Sequence, residues 1–208
     1  MPSNIKVLLA LVLFSAGLIA IVTWLGPSDA QLGTNLRLVL LHGVWVWAGK
    51  LGFLIAALTG LFALLIRRSN AAEYSSAIGL AATFLWITYL PMSLIVQVQN
   101  WGGIFWDEPR WKVPLMFGLV AVLLQLGLLL IRNRTLTAIT NLLFGAGLWW
   151  KLGNIQNVLH PQDPVFSSDS YAIRIYFVAL MALAILFGAL LSRLILLIQR
   201  TYVQPSDA

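Results

Sequence analysis

From Val7 to Leu25 the chain carries no charged residue, and comparable stretches recur along most of its length. An apolar run of about 20 residues is long enough to cross the hydrocarbon core of a bilayer. Six segments are predicted to do so: Val7–Leu25, Leu38–Ile66, Ser76–Val98, Val113–Ile131, Thr135–Leu152 and Ile175–Ile198. The expected fold is an all-α membrane protein, a six-transmembrane-helix bundle. Residues 1–203 would form a single six-span membrane domain and 204–208 a loose C-terminal tail. Composition agrees: 60% of the 208 residues are apolar and 10% charged, against about 25% charged in an ordinary soluble domain. Such a chain lacks the polar residues to cover a water-soluble fold.

The first run is longer than the apolar part of a signal peptide. Gly26-Pro27 after it makes a poor cleavage site, so it is read as a span. The second is about 43 Å long as a helix, so it tilts or one end emerges. Pro91, near the end of the third, is expected to kink or loosen the helix there.

The chain has no cysteine, which excludes disulfides, Fe–S clusters, thiolate zinc and thiol redox chemistry. Two histidines and seven carboxylates leave little for a protein-only catalytic metal cluster. The net charge is +6, yet no basic run exceeds Arg67-Arg68, so nothing resembles a nucleic-acid stripe.

An even number of spans places both termini on one side. With the N-terminus inside, the inner ends carry Lys6, Arg67, Arg68, Arg132, Arg134, Arg193 and Arg200. The outer ends carry Arg37, Arg110, Lys112, Lys151 and Arg174. The positive-inside rule therefore favours an N-in/C-in arrangement.

On that topology the nine tryptophans are unevenly placed. Trp24, Trp45, Trp47, Trp101, Trp106, Trp111, Trp149 and Trp150 fall at or near the outer face, and Trp86 lies mid-span. Interfacial tryptophans ordinarily form a belt on both sides. The asymmetry reads either as one-sided anchoring or as an aromatic-lined site for a large flat ligand.

Both histidines fall on the same side. His42 lies about 7.5 Å below Arg37 along its helix. His160 lies in the outer segment between the fifth and sixth spans. There Ile155, Val158 and Leu159 suggest a short interfacial helix ended by Pro161. Each histidine has a plain structural reading, as a side chain bonded to a backbone carbonyl. Facing each other, two neutral imidazoles would supply both axial positions of a haem iron, or hold a metal completed by water. The loop Asn100-Trp101-Gly102-Gly103-Ile104-Phe105-Trp106-Asp107-Glu108-Pro109-Arg110-Trp111 adds glycines that allow close approach and aromatics that make a flat apolar wall. The alternative is an ordinary amphipathic interfacial loop.

Taken together, these elements resemble the haem-handling cytochrome c assembly family, and most closely its CcmC-type members. The resemblance runs from the first span to the sixth. The stretch from Pro27 to His42 is similar to the family's outer loop leading into a span with an early histidine, and Trp47 stands where the family has a tryptophan five residues later. Trp101 to Arg110 resembles the tryptophan-rich WWD signature. Aligned without a gap, Trp101, Gly102 and Arg110 match, while Ile104, Phe105 and Asp107 stand in place of tryptophans and Glu108 in place of aspartate. Shifted by one, Trp106-Asp107 restores the W-D pair. Trp149-Trp150 through Asn157 to His160 resembles the family's W-W-N-T-L-H-Q, with residues inserted before the asparagine.

The resemblance implies a non-enzymatic protein of the inner (plasma) membrane that holds b-type haem as transient cargo at the outer face. His42 and His160 would be its axial iron ligands. Trp47, Trp101, Gly102, Phe105, Trp106, Asp107 and Arg110 would form the haem-contacting surface. The implied partners are a membrane-anchored haem chaperone, which receives the haem, and an ABC-transporter-type haem maturation complex. The chain has no phosphate-binding G-x-x-x-x-G-K-[ST] loop of its own, in keeping with that division. Arg110, Lys112 and Arg37 are candidates for the haem propionates, or for lipid headgroups. The departures in the signature favour a second reading, an assembly subunit that kept the fold and lost haem.

Lys50 stands apart. It lies about 12 Å deeper than His42, at a depth where a charge is expensive and faces a cavity or partner, or snorkels. Gln97, Gln99, Gln125 and Asn141 are expected to be interhelical hydrogen-bond partners.

Overall fold

The computed structural model describes residues 2–66, 69–155, 165–166 and 168–203. Within them the chain forms six long helices: α1 (Ser3–Trp24), α2 (Leu36–Ile66), α3 (Ser69–Trp101), α4 (Pro109–Ile131), α5 (Arg134–Gly153) and α6 (Tyr171–Ile198). The last runs into a π-helical turn, Gln199–Val203. No strand occurs among the described residues. One bridge, Asp29 to Gly33, closes the α1–α2 connection, where the Asp29 carboxylate accepts from the backbone N–H groups of Gln31 and Leu32.

Five helices, α1 to α4 and α6, are long and apolar enough to cross a membrane, an architecture that fits a multi-pass membrane protein. The remaining expected span, Thr135–Leu152, corresponds to α5. α5 spans 20 residues but includes Arg134, three threonines, Asn141 and Lys151, and it is not among the five.

The helices are longer than the apolar runs that announced them. A run stops at a charge, whereas backbone bonding continues wherever that charge is hydrated or paired. α4 starts at Pro109, whose missing N–H costs nothing at the first helical position. Arg110, Trp111 and Lys112 are therefore helical and not part of the loop. α3 reaches back to Ser69, and its Glu73 is bound by two arginines. It also continues past Pro91, which is exposed, so no helix end falls there.

Most of the helices are apolar on nearly every face, so periodicity alone does not say which face packs. Small and polar residues decide it. α2 is the central element and packs on both α3 and α5. A Cβ at Gly145 of α5 would lie 2.7 Å from Ala57 Cβ and 2.8 Å from the Phe53 carbonyl oxygen, so glycine sets this helix spacing. A buried polar chain then crosses the bundle. Gln125 Nε2 donates to Asn141 Oδ1 at 2.8 Å, Asn141 Nδ2 donates to the Ser75 carbonyl at 2.9 Å, and Ser75 Oγ donates to the Ala56 carbonyl at 2.8 Å. Gln125 and Asn141 are thus interhelical partners, as expected, whereas Gln99 is exposed.

One apolar cluster joins α1, α2 and α6 around Leu40, Val44 and Leu180. A second joins α2, α3, α4 and α5 around Phe53, Trp86 and Leu148. Contacts between Trp24 and Arg37, Trp45 and Thr88, Trp86 and Pro114, Lys50 and Trp149, and Val22 and Tyr176 bring the ends of α1, α3 and α5 beside the starts of α2, α4 and α6, the end of the bundle on which the non-central tryptophans fall. The opposite end carries Arg132, Arg134 and Arg200.

Candidate functional site at the tryptophan-rich end

His42 lies in the second turn of α2 and is half-buried. Its ring packs against Tyr89 of α3, with centroids 5.2 Å apart and planes at 34°. Tyr89 is itself buried, and its hydroxyl makes a long hydrogen bond, 3.4 Å, to the Arg110 carbonyl. That carbonyl needs an outside donor because Pro114, four residues on, has no N–H to complete the helical bond. Trp86, fully buried, donates from Nε1 to the Pro114 carbonyl at 2.9 Å. Two aromatic side chains of α3 therefore clamp the first turns of α4 and leave His42 beside the clamp.

Lys50 is half-buried between α2 and α5. Its ammonium lies 4.1 Å from the ring centroid of Trp47 and 4.6 Å from that of Trp149. The two indoles meet edge to face, 6.2 Å apart at 65°. Cation–π attraction and a burying aromatic pair thus hold a charge that would otherwise be costly at this depth. The charge of Arg110 also reaches Lys50 and Tyr89. Two cations and one imidazole therefore share this end of the bundle.

Above them lies the loop between α3 and α4. Trp101 ends α3, and Gly102 turns the chain with φ +72°. The backbone N–H of Phe105 donates to Gln97 Oε1 at 3.0 Å, so Gln97 orders the loop. Trp101, Phe105 and Trp106 are exposed at 43%, 41% and 61%. Trp106 meets Trp111 edge to face at 6.2 Å, but Trp111 itself is buried in the core. Asp107 pairs with Lys112 at 3.2 Å on the surface. Glu108, by contrast, is buried at the start of α4.

The structure thus gathers His42, Trp101, Gly102, Phe105, Trp106, Asp107 and Arg110 at one end, with Trp47 turned toward Lys50. His160 and the interfacial helix expected around Val158 and Leu159 lie outside the described residues. Sequence reasoning left Lys50 open and missed Tyr89 and the pairing of Trp149 with it. A tyrosine inside an apolar helix, within reach of a proline-containing neighbour, was the available signal for Tyr89. No family model, curated protein or solved structure matches this chain.

Proposed function

We propose that this chain is a haem-binding carrier of cytochrome c biogenesis. It spans the plasma membrane six times with both termini inside, α5 included, and presents its tryptophan-rich end outward. His42 supplies one axial ligand to the iron of b-type haem and His160 the other. Trp101, Phe105 and Trp106 form the platform, and Arg110 faces the propionates. Haem is cargo, received and handed on to a membrane-anchored chaperone, with energy supplied by a separate ABC-type complex. A half-buried histidine and two cations at the same end as an exposed aromatic loop is the observation that carries this reading.

A second reading has its own observation. The His42 ring already packs on Tyr89, which is how a structural histidine in an assembly subunit would sit. The visible spectrum of the protein purified in detergent separates the two. A Soret band with sharp α and β bands on reduction, lost or changed in spin state in His42→Ala and in His160→Ala, supports the carrier. No haem absorbance after purification and after haemin addition overturns it.

A further inference from the structure

At the end opposite the tryptophans a small cleft opens between the last turn of α4, the first turn of α5 and the end of α6, with α3 behind it. Three arginines line it, Arg132, Arg134 and Arg200. Glu73 of α3 binds two of them, Oε1 accepting from Arg134 at 2.8 Å and Oε2 from Arg200 at 2.9 Å. One carboxylate against three guanidinium groups leaves the cleft with a local charge of +2. Arg132 makes no ion pair among the described residues, is exposed, and holds a left-handed backbone conformation, φ 54°, that ends α4. The π-helical turn after α6 brings Arg200 in, and Gln199 anchors that turn by donating to Ser76 Oγ at 3.0 Å.

The floor of the cleft is different in kind. Leu128 of α4 and Leu196 of α6, both buried, lie beneath the charged rim. α4 and α6 each pack on α3 and not principally on each other, and the cleft lies between their ends. A cationic rim above an apolar floor, at the ends of membrane-crossing helices, matches a phospholipid at the level where headgroup meets acyl chain. A guanidinium has several N–H donors and suits planar recognition of phosphate, so binding Glu73 does not exhaust it.

We infer that this cleft is a binding site for the phosphate of an anionic phospholipid, held by Arg132, Arg134 and Arg200. Glu73 spaces the two paired arginines and limits the excess charge. The site lies at the far end of the bundle from the haem reading and does not depend on it.

The test is native mass spectrometry of the full-length protein in detergent, titrated with phosphatidylglycerol, with phosphatidylcholine of the same chains, and with inorganic phosphate. Phosphatidylglycerol is expected to bind more tightly than phosphatidylcholine. Arg132→Asn keeps a residue that tolerates the left-handed backbone, and should weaken phosphatidylglycerol binding about fivefold. Arg132→Asn with Arg200→Gln should weaken it further, toward the phosphatidylcholine level. Glu73→Gln should tighten it, although it removes two ion pairs; a cluster that serves only to hold the helices together predicts no such gain. Arg132→Asn alone carries the test if the double variant does not elute as a folded species. Equal binding of the two lipids, or unchanged binding in Arg132→Asn, would overturn the site. Displacement of the lipid by equimolar inorganic phosphate would overturn the lipid as its source.

Discussion

Trp149 Nε1 donates to the backbone carbonyl of Lys50 at 3.0 Å, while the face of the same indole lies 4.6 Å from the Lys50 ammonium. One side chain of α5 therefore holds both ends of a residue in α2. The charge is tolerated because the aromatic partner that shields it is also hydrogen-bonded in place. Lys50 is thus built into the α2–α5 contact, with Trp47 completing the enclosure from its own helix.

This relationship predicts coupling. In a double-mutant cycle between Lys50→Met and Trp149→Phe, the interaction energy should be about 0.5–2 kcal/mol, the range of a partly desolvated cation–π contact. Phenylalanine also removes the hydrogen bond to the Lys50 backbone, worth about 1 kcal/mol, and that loss should persist in the Lys50→Met background. Reversible unfolding in mixed micelles gives the four stabilities. Strict additivity would show that the ammonium and the indole are neighbours without an energetic link.

Close approach at Gly145 gives a second expectation. Gly145→Ala should destabilise by about 1–3 kcal/mol, because the new methyl meets backbone and another methyl that have nowhere to go. Gly147→Ala, two residues along the same helix, meets nothing within 4 Å and should be neutral or stabilising by up to about 1 kcal/mol. Equal losses at both positions would mean that α5 does not sit against α2 as described.

Asn141 should matter more than Gln125. It joins three helices, accepting from Gln125 and donating to Ser75, whereas Gln125 contributes the bond to Asn141. Interhelical hydrogen bonds in membranes average about 0.6 kcal/mol, so Asn141→Leu is expected to cost about 1–2 kcal/mol and Gln125→Leu about half of that. Thermal denaturation of the two variants in one detergent checks the order, and a larger loss at Gln125 would contradict it.

For the haem reading, the loop supplies an internal control. Trp101→Ala with Trp106→Ala removes two exposed aromatic faces, while Asp107→Asn with Lys112→Gln removes an exposed ion pair from the same region. Stacking on a flat π surface is worth roughly 1–3 kcal/mol per aromatic. Haem occupancy at equal expression should therefore fall at least fivefold in the tryptophan pair and stay within twofold in the charge pair. Glu108 is unsuitable as a control because it is buried at the start of α4. If the charge pair proves the more damaging, the loop is an electrostatic docking surface and not a platform.

Reading the helices from the sequence worked where the bilayer itself imposes the rule. Long uncharged runs marked each helix to within a few residues at most ends. The larger misses lie at helix starts, where a nearby charge stopped the run: Lys6, Glu73, Lys112 and Arg174 are all helical, Glu73 paired with two arginines and Lys112 in a turn that begins at Pro109. The candidate site was legible in the same partial way. His42 and the Trp101–Trp106 aromatics could be placed at one end from their distance to span ends, but nothing local to His42 announced Tyr89, and Lys50 could not be assigned a neighbour from its own helix.

The sequence by itself determined that this chain is helical and apolar, and that its tryptophans collect toward one end, because both follow from where residues fall along each run. Only the tertiary structure decided which faces meet. On helices that are apolar all round, burial gives no preference for one face over another, and in lipid it supplies little drive toward contact. The choice falls instead to sparse features on different helices: a glycine that admits a backbone, an asparagine that joins three helices, a proline that leaves a carbonyl open. Trp149 meets Lys50 across 99 residues of sequence for that reason, and no window along the chain contains both.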